Sequence, residues 1–272
     1  MVRSRALAWP SRFFIRYLVK RQVVQYSNRV VRHSYGGFEL EISLEDPVAD
    51  KWYDHDWPLP VELARLSASR LLPGARVFDI GAHQAVVALM LSRLVGPSGR
   101  VVALEAERHS YEVAVRNRDR NRAANLEVLH EAGGATDGWL HFRDRLNATV
   151  VKHGHVGLSR VPAVTVDTLA ARHGAPDVVF IDVEGYEHEL LRGATATLAA
   201  GVTDFFVEVH VGYGLEHLGG SAQQVLDHFD PACYTRLVSR AGSELEHYEL
   251  LELGRQPDVL ADRFYLLALA RS

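Results

Sequence analysis

The sequence predicts an α/β fold, a mostly parallel twisted sheet with helices on both faces and an antiparallel C-terminal strand. Three observations carry this. Short apolar runs recur at residues 76–80, 100–105, 126–130, 177–182 and 203–210. Helical patterns near 84–95, 108–123, 186–199 and 220–229 lie between or after them, and such alternation is the mark of parallel strands covered on both sides. Last, the runs YTRLVS (234–239) and RFYLLALA (263–270), separated by the polar stretch EHYELLELGRQPD, suit two strands paired antiparallel.

Upstream, residues 11–26 have the spacing of a basic amphipathic helix, with Arg12, Arg16 and Lys20 on one row and Ile15, Leu18, Val19 and Val23 on another. FELEIS (38–43) alternates like a half-buried strand. Trp52, Tyr53, His55 and Trp57 crowd together before Pro58 and suit either the roof of a pocket or a surface packing device. WLHF (139–142) and AVTVDTL (163–169) read as extensions of the sheet edge. The division expected is a basic arm and cap over 1–57 and the main domain over 58–272.

Composition narrows the class. The 272 residues are 47% hydrophobic, ample for a core. The net charge is -4, yet eight cations precede the first acid, Glu39, which leaves a net charge of about -12 on the remainder. A body that acidic argues against a nucleic-acid partner, while the basic arm suits weak peripheral contact with a membrane. The single cysteine, Cys233, excludes an intrachain disulfide and is expected to be a small buried hydrophobe. No apolar run reaches the roughly 18 residues of a membrane span, and a cytoplasmic location is expected.

The chemistry concentrates at strand ends. In an open α/β sheet, ligands sit beyond the carboxyl ends of the strands. VFDIGAHQAVVALML (77–91) places Asp79, Gly81 and His83 there, and Glu105 in VVALEAE closes the second strand, where a carboxylate can accept both hydroxyls of a ribose. A dinucleotide turn needs three glycines. Here only Gly81 is glycine, with His83 and Ala85 in the other places, which disfavours a nicotinamide or flavin dinucleotide and favours a nucleoside without a diphosphate, such as S-adenosylmethionine.

Two further segments supply acids. VVFIDVEGYEHELLRGA (178–194) delivers Asp182 and Glu184 to the mouth of an apolar strand, and FFVEVH (205–210) puts Glu208 and His210 on one strand face. If the two strands are neighbours, Asp182, Glu208 and His210 converge. His210 then suits a general base, because an unperturbed imidazole with a pKa of about 6.5 exchanges protons near neutrality. One histidine and two carboxylates also have the composition of a divalent-cation site, although the spacing alone is not diagnostic and no metal is expected.

Together these segments resemble the FkbM family of S-adenosylmethionine-dependent methyltransferases, over roughly residues 60–212. The matching pieces are FDIGAHQ, GPSGRVVALEAE, NRDRNRAANLEVL, VDTL, IDVEGYEHELLRGA and FFVEVH, of which IDVEGYE is the most specific. The resemblance implies a Rossmann-like class I methyltransferase in which Asp79, Gly81, His83 and Ala85 form the cofactor turn and Glu105 holds the ribose. It also implies that Ala132 and Gly133 border the adenine and that Asp182 and Glu184 lie near the sulfonium methyl group. Asp182 and Glu208 would steady His210 as base. Trp57 and Glu184 would face a small-molecule or glycan acceptor, the hydroxyl of a sugar, glycolipid or secondary metabolite. The family usually has asparagine and glycine where this chain has His83 and Ala85. That departure keeps open a competing reading, a non-catalytic module of the same fold that serves as a binding or assembly partner.

Overall fold

The computed structural model describes residues 26–143, 149–150, 158–240, 251–252 and 261–271. The expected basic helix at 11–26 falls outside these residues except for Tyr26, and most of the polar stretch 246–258 does too. The described elements begin with strands β1 (Arg29–Tyr35) and β2 (Phe38–Leu44) and helices α1 (Pro47–Tyr53) and α2 (Val61–Ser67). Next come β3 (Arg76–Ile80), α3 (Val86–Val95), β4 (Arg100–Leu104), α4 (Arg108–Arg120) and β5 (Leu126–Leu129). The short strands β6 (Ala132–Gly133), β7 (Gly138–Arg143), β8 (Thr149–Val150) and β9 (Leu158–Val164) lead to α5 (Val166–His173) and β10 (Val178–Ile181). The chain continues through α6 (Glu187–Leu191), α7 (Thr195–Ala200), β11 (Asp204–Val209), α8 (Ala222–Asp227), β12 (Tyr234–Arg240), β13 (Leu251–Glu252) and β14 (Phe264–Ala270).

The main sheet runs β13-β12-β14-β11-β10-β3-β4-β5. Strands β11, β10, β3, β4 and β5 are parallel, and β14 pairs antiparallel with both β11 and β12. This is the Rossmann-like arrangement, and its reason is visible along single strands. In β3, Val77 packs into one core while Phe78 and Ile80 pack into the other, and in β10 Val178 and Phe180 oppose Val179 and Ile181 in the same way. A strand apolar at every position has no face for water, so helices must cover both sides. The β1-β2 hairpin and helices α1 to α4 contribute to one core and α5, α6 and α8 to the other.

Chain order reverses between β3 and β10. After β3 the chain winds outward to β4 and β5, then returns to lay β10 on the opposite edge of β3. The loops leaving these two strands diverge, which opens a crevice at their carboxyl ends.

Three sequence expectations are corrected. Residues 139–142 and 163–164 do not extend the main sheet; they belong to a separate four-stranded sheet, β6-β9-β7-β8, built around Ala132, Phe142 and Val161. Strand β9 stops at Val164 because Thr165 caps α5, its side chain accepting from Thr168 N, so 166–169 are helical. The single helix expected over 186–199 is two, broken at Gly193, where an added Cβ would lie 2.2 Å from Gly134 O. Cys233 is exposed rather than buried. Among the described residues, no helix is long and apolar enough to cross a membrane.

Candidate functional site

The turn after β3 sits against β10 through main chain alone. Gly81 has φ 94°, and a Cβ there would stand 1.7 Å from Asp182 O. Only glycine lets the two strand ends approach this closely. His83 (φ 47°) and Ala85 (φ 65°) also adopt the left-handed conformation. The turn therefore keeps a backbone suited to glycine or asparagine while carrying side chains at both positions, and α3 starts directly after it.

Glu105 joins this turn to the loop that follows β4. Oε2 accepts from His83 N at 2.7 Å and Oε1 from Glu107 N at 2.6 Å. Burial raises the Glu105 pKa to about 8, with Glu107 and Asp79 adding to the rise and the two backbone donors opposing it. Asp79 is 5% exposed, and its Oδ2 has no hydrogen-bond partner. Burial alone pushes its pKa up to about 7.

Above the turn lies the aromatic cluster, and the structure resolves its two readings in favour of a pocket roof. Helix α1 is capped by Asp46, whose Oδ1 accepts from Val48 N and Ala49 N, with Pro47 at its first turn. The other Asp46 oxygen accepts from the buried Gln84 amide at 2.6 Å and lies 3.2 Å from His109 Nε2. One carboxylate thus ties α1, the glycine turn and α4 together. Tyr53 reaches down so that its Oη lies 2.7 Å from His83 Nδ1, and the Trp52 ring lies 5.2 Å from the His83 ring. Burial depresses the His83 pKa to about 4, so the imidazole is neutral at physiological pH.

The resulting cleft has two lobes. The first is walled by Ile80, Leu104, Glu105, Ala132, Gly133 and Phe142. The second is walled by Tyr53, His55, Trp57, Asp79, Phe206 and Glu208. Trp52, Gly81, His83, Asp182 and Glu184 border both.

At the junction of the lobes the pairing of β10 with β11 brings Asp182, Glu208 and His210 together as the sequence predicts. Asp182 is half exposed and Glu208 nearly buried, and burial beside neighbouring acids raises the pKa of both. His210, read as the base, is 1% exposed and lines neither lobe. Its Nδ1 lies 2.6 Å from Glu187 Oε1. Burial lowers the imidazole pKa, but Glu187, Asp182 and Glu208 outweigh that and lift it to about 9. The imidazole is thus enclosed and faces Glu187, whereas the carboxylates of Asp182 and Glu208 border the second lobe.

Sequence reasoning missed four residues here. Glu187 stands inside the quoted IDVEGYE motif, and its signal was an acid on the same helical face as Leu190 and Leu191. Asp46 had one too, since Asp-Pro before a short amphipathic run is a helix start. Tyr53 was noted only as part of a cluster. Arg263, whose Nη1 lies 3.2 Å from Glu208 Oε1, comes from just before β14 and left no local sign.

Comparison with curated proteins gives no match. Among solved structures, the FkbM methyltransferase from Methylobacillus flagellatus KT aligns at 16% identity with a TM-score of 0.46, covering 71% of this chain and 43% of its own. This chain therefore spans less than half the length of that protein. An rRNA methylase from Streptococcus thermophilus aligns at 10% identity and TM-score 0.47 over 78% of this chain and 97% of its own. A SAM-dependent O-methyltransferase from Thermotoga maritima aligns at 14% and 0.42 over 90% and 78%. The family model described as the methyltransferase FkbM domain matches residues 79–230, which begins at the buried acid of the glycine turn and runs past the β10 and β11 strand ends. More than half the chain, with Gly81, His83, Asp182 and Glu184 of the junction inside it, thus follows one family pattern, and the chain belongs to the FkbM methyltransferase family.

Proposed function

We propose that the protein transfers a methyl group from S-adenosylmethionine to a hydroxyl of a sugar, glycolipid or secondary metabolite. The observation that supports this most is the meeting of a lobe with apolar walls edged by Glu105 and an acid-lined lobe at the main-chain contact of Gly81 with Asp182.

The residues suit that cofactor. The apolar walls from Ile80, Leu104, Ala132 and Phe142 fit a flat purine, and Glu105 at their edge fits ribose hydroxyls. The unpartnered Asp79 Oδ2 suits the ammonium of a methionine tail. Bound there, S-adenosylmethionine supplies a methyl on a cationic sulfur: the C–S bond breaks with its electron pair left on sulfur as the new C–O bond forms, and the hydroxyl proton leaves to a base. Asp182 and Glu208, facing the second lobe, hold the hydroxyl and accept that proton, while Glu184 and Trp57 border the acceptor. The aromatic roof of Trp52, His55 and Trp57 suits a ring-shaped polar acceptor. Orientation of two reactants supplies up to roughly 7–11 kcal/mol of a barrier, and proton removal a further factor of about 100 to 10,000.

Calorimetry with S-adenosylmethionine and S-adenosylhomocysteine tests the reading, and absence of binding to either at high micromolar concentration overturns it. Mass spectrometry of treated extracts, searched for products heavier by one methylene, then identifies the acceptor.

A further inference from the structure

The Nε2 atom of His210 is a buried polar atom of the acid cluster for which the methyl-transfer reading has no use. The imidazole is 1% exposed, and Nε2 is buried without a hydrogen-bond partner. Glu208 Oε1 lies 3.6 Å away, and Asp182 Oδ1 and Glu184 Oε2 each lie 3.7 Å away. These distances are too long for hydrogen bonds. They suit ligands gathered around a common centre. A cation bound at about 2.1 Å in octahedral geometry holds adjacent ligand atoms about 3 Å apart and opposite ones about 4.2 Å apart. One atom each from Asp182, Glu208 and His210 lies within 4.8 Å of the other two.

The surroundings favour a cation. Glu187 is wholly buried, and its Oε1 accepts from Gly185 N at 2.8 Å while facing His210 Nδ1. A carboxylate accepting Nδ1–H leaves Nε2 aimed at the cluster, where a bound cation displaces the Nε2 proton and takes its lone pair, the arrangement by which proteins orient imidazole ligands. Four carboxylates, Asp182, Glu184, Glu187 and Glu208, meet one imidazole and the Arg263 guanidinium. That leaves excess negative charge where a dication would sit.

We propose that Asp182, Glu208 and His210 bind a divalent cation, with Glu187 positioning the imidazole. Two carboxylate oxygens and one imidazole nitrogen match Mn²⁺ better than a thiophilic ion, and the nitrogen favours Mn²⁺ over Mg²⁺. Three protein ligands leave coordination positions open, and Asp182 and Glu208 border the second lobe. The cation would lower the pKa of a hydroxyl placed there. That role rests on the methyl-transfer reading; the binding does not. The inference departs from the sequence expectation of no metal.

The test is an electron paramagnetic resonance titration of the chelator-treated, full-length protein with MnCl₂ in the absence of S-adenosylmethionine. Saturable binding of about one Mn²⁺ per chain is expected, weakened roughly 10- to 100-fold by Asp182→Asn, His210→Gln and Glu187→Gln, with circular dichroism confirming that each variant is folded. The wild-type titration needs no variant: no saturable Mn²⁺ binding up to millimolar concentration overturns the proposal. So does saturable binding that all three substitutions leave unchanged. Calorimetry with S-adenosylmethionine on the same sample separates the two readings, since Mn²⁺ bound without the nucleoside retains the cation site and removes methyl transfer, whereas the reverse removes the cation site alone.

Discussion

At the scale of single residues, the glycine turn sorts three positions by what a methyl group costs. At Gly81 an added Cβ would overlap Asp182 O, so Gly81→Ala is expected to cost more than about 4 kcal/mol in urea denaturation, beyond the usual range for a point change. Ala85 is the opposite case. Relief of its left-handed backbone offers about 1–2 kcal/mol, which loss of a buried methyl at about 0.8 kcal/mol and added chain freedom at about 0.5–1 kcal/mol nearly cancel. Ala85→Gly is therefore expected within about 0.5 kcal/mol of the parent, and a loss of 2 kcal/mol would refute this account of the strain. On the proposed reading Glu105 would bind the ribose as well as the turn: hydrogen bonds to a charged group contribute about 1.5–3 kcal/mol, so Glu105→Gln should weaken S-adenosylmethionine binding roughly 10- to 100-fold by calorimetry. Asp79, Gly81, Glu105 and Asp182 were legible because each ends or follows an apolar run, and the sequence spacing alone places it at a strand mouth. The burial of His210 behind its neighbours was not, because period-2 alternation says which face a side chain shares and not what stands in front of it.

At the scale of elements, α1 owes its position to one carboxylate. Asp46 caps the helix and also receives the buried Gln84 amide. Losing a cap costs about 1 kcal/mol, and an orphaned buried amide about 1–3 kcal/mol, so Asp46→Ala should destabilise by about 2–4 kcal/mol. Trp52 and Tyr53 ride on this helix, so their fluorescence should report the loosened roof before global unfolding. Coincident transitions in the fluorescence and circular dichroism of Asp46→Ala would count against a roof held by this cap. The strands of the main sheet could be read from sequence because both of their faces are apolar. The small sheet could not: Trp139 is 52% exposed and, among the described residues, β7 pairs with β8 and β9 alone, so hydrophobic pattern announced strands there without naming their partners. The split between α6 and α7 was hidden for a similar reason, since Gly193 makes its contact with Gly134, 59 positions earlier in the chain.

At the scale of the whole molecule, the fold keeps two acids in a half-titrated state. Burial raises Asp79 to about 7 and Glu105 to about 8, so between their unfolded values and these the folded chain binds more protons than the unfolded one. Their contribution to stability is complete below about pH 4 and is lost as the pH rises through 7 to 8. Urea denaturation at pH 5, 6.5 and 8 should show a decline that is smaller in Asp79→Asn, and an equal decline in both proteins would remove Asp79 as its cause. The reversal of strand order between β3 and β10 put the crevice where the sequence placed it, because apolar runs in alternation with helices admit few other windings. What that reversal creates is a datum surface. The distance from cofactor turn to acid cluster is set by one main-chain contact, Gly81 on Asp182, whereas the roof over the second lobe hangs from a separate helix by side chains. On the methyl-transfer reading, acceptor preference and reaction geometry would be held by different parts of the chain, and recombining residues 52–57 with those of other family members would change the acceptor while leaving the reacting centre on its original foundation.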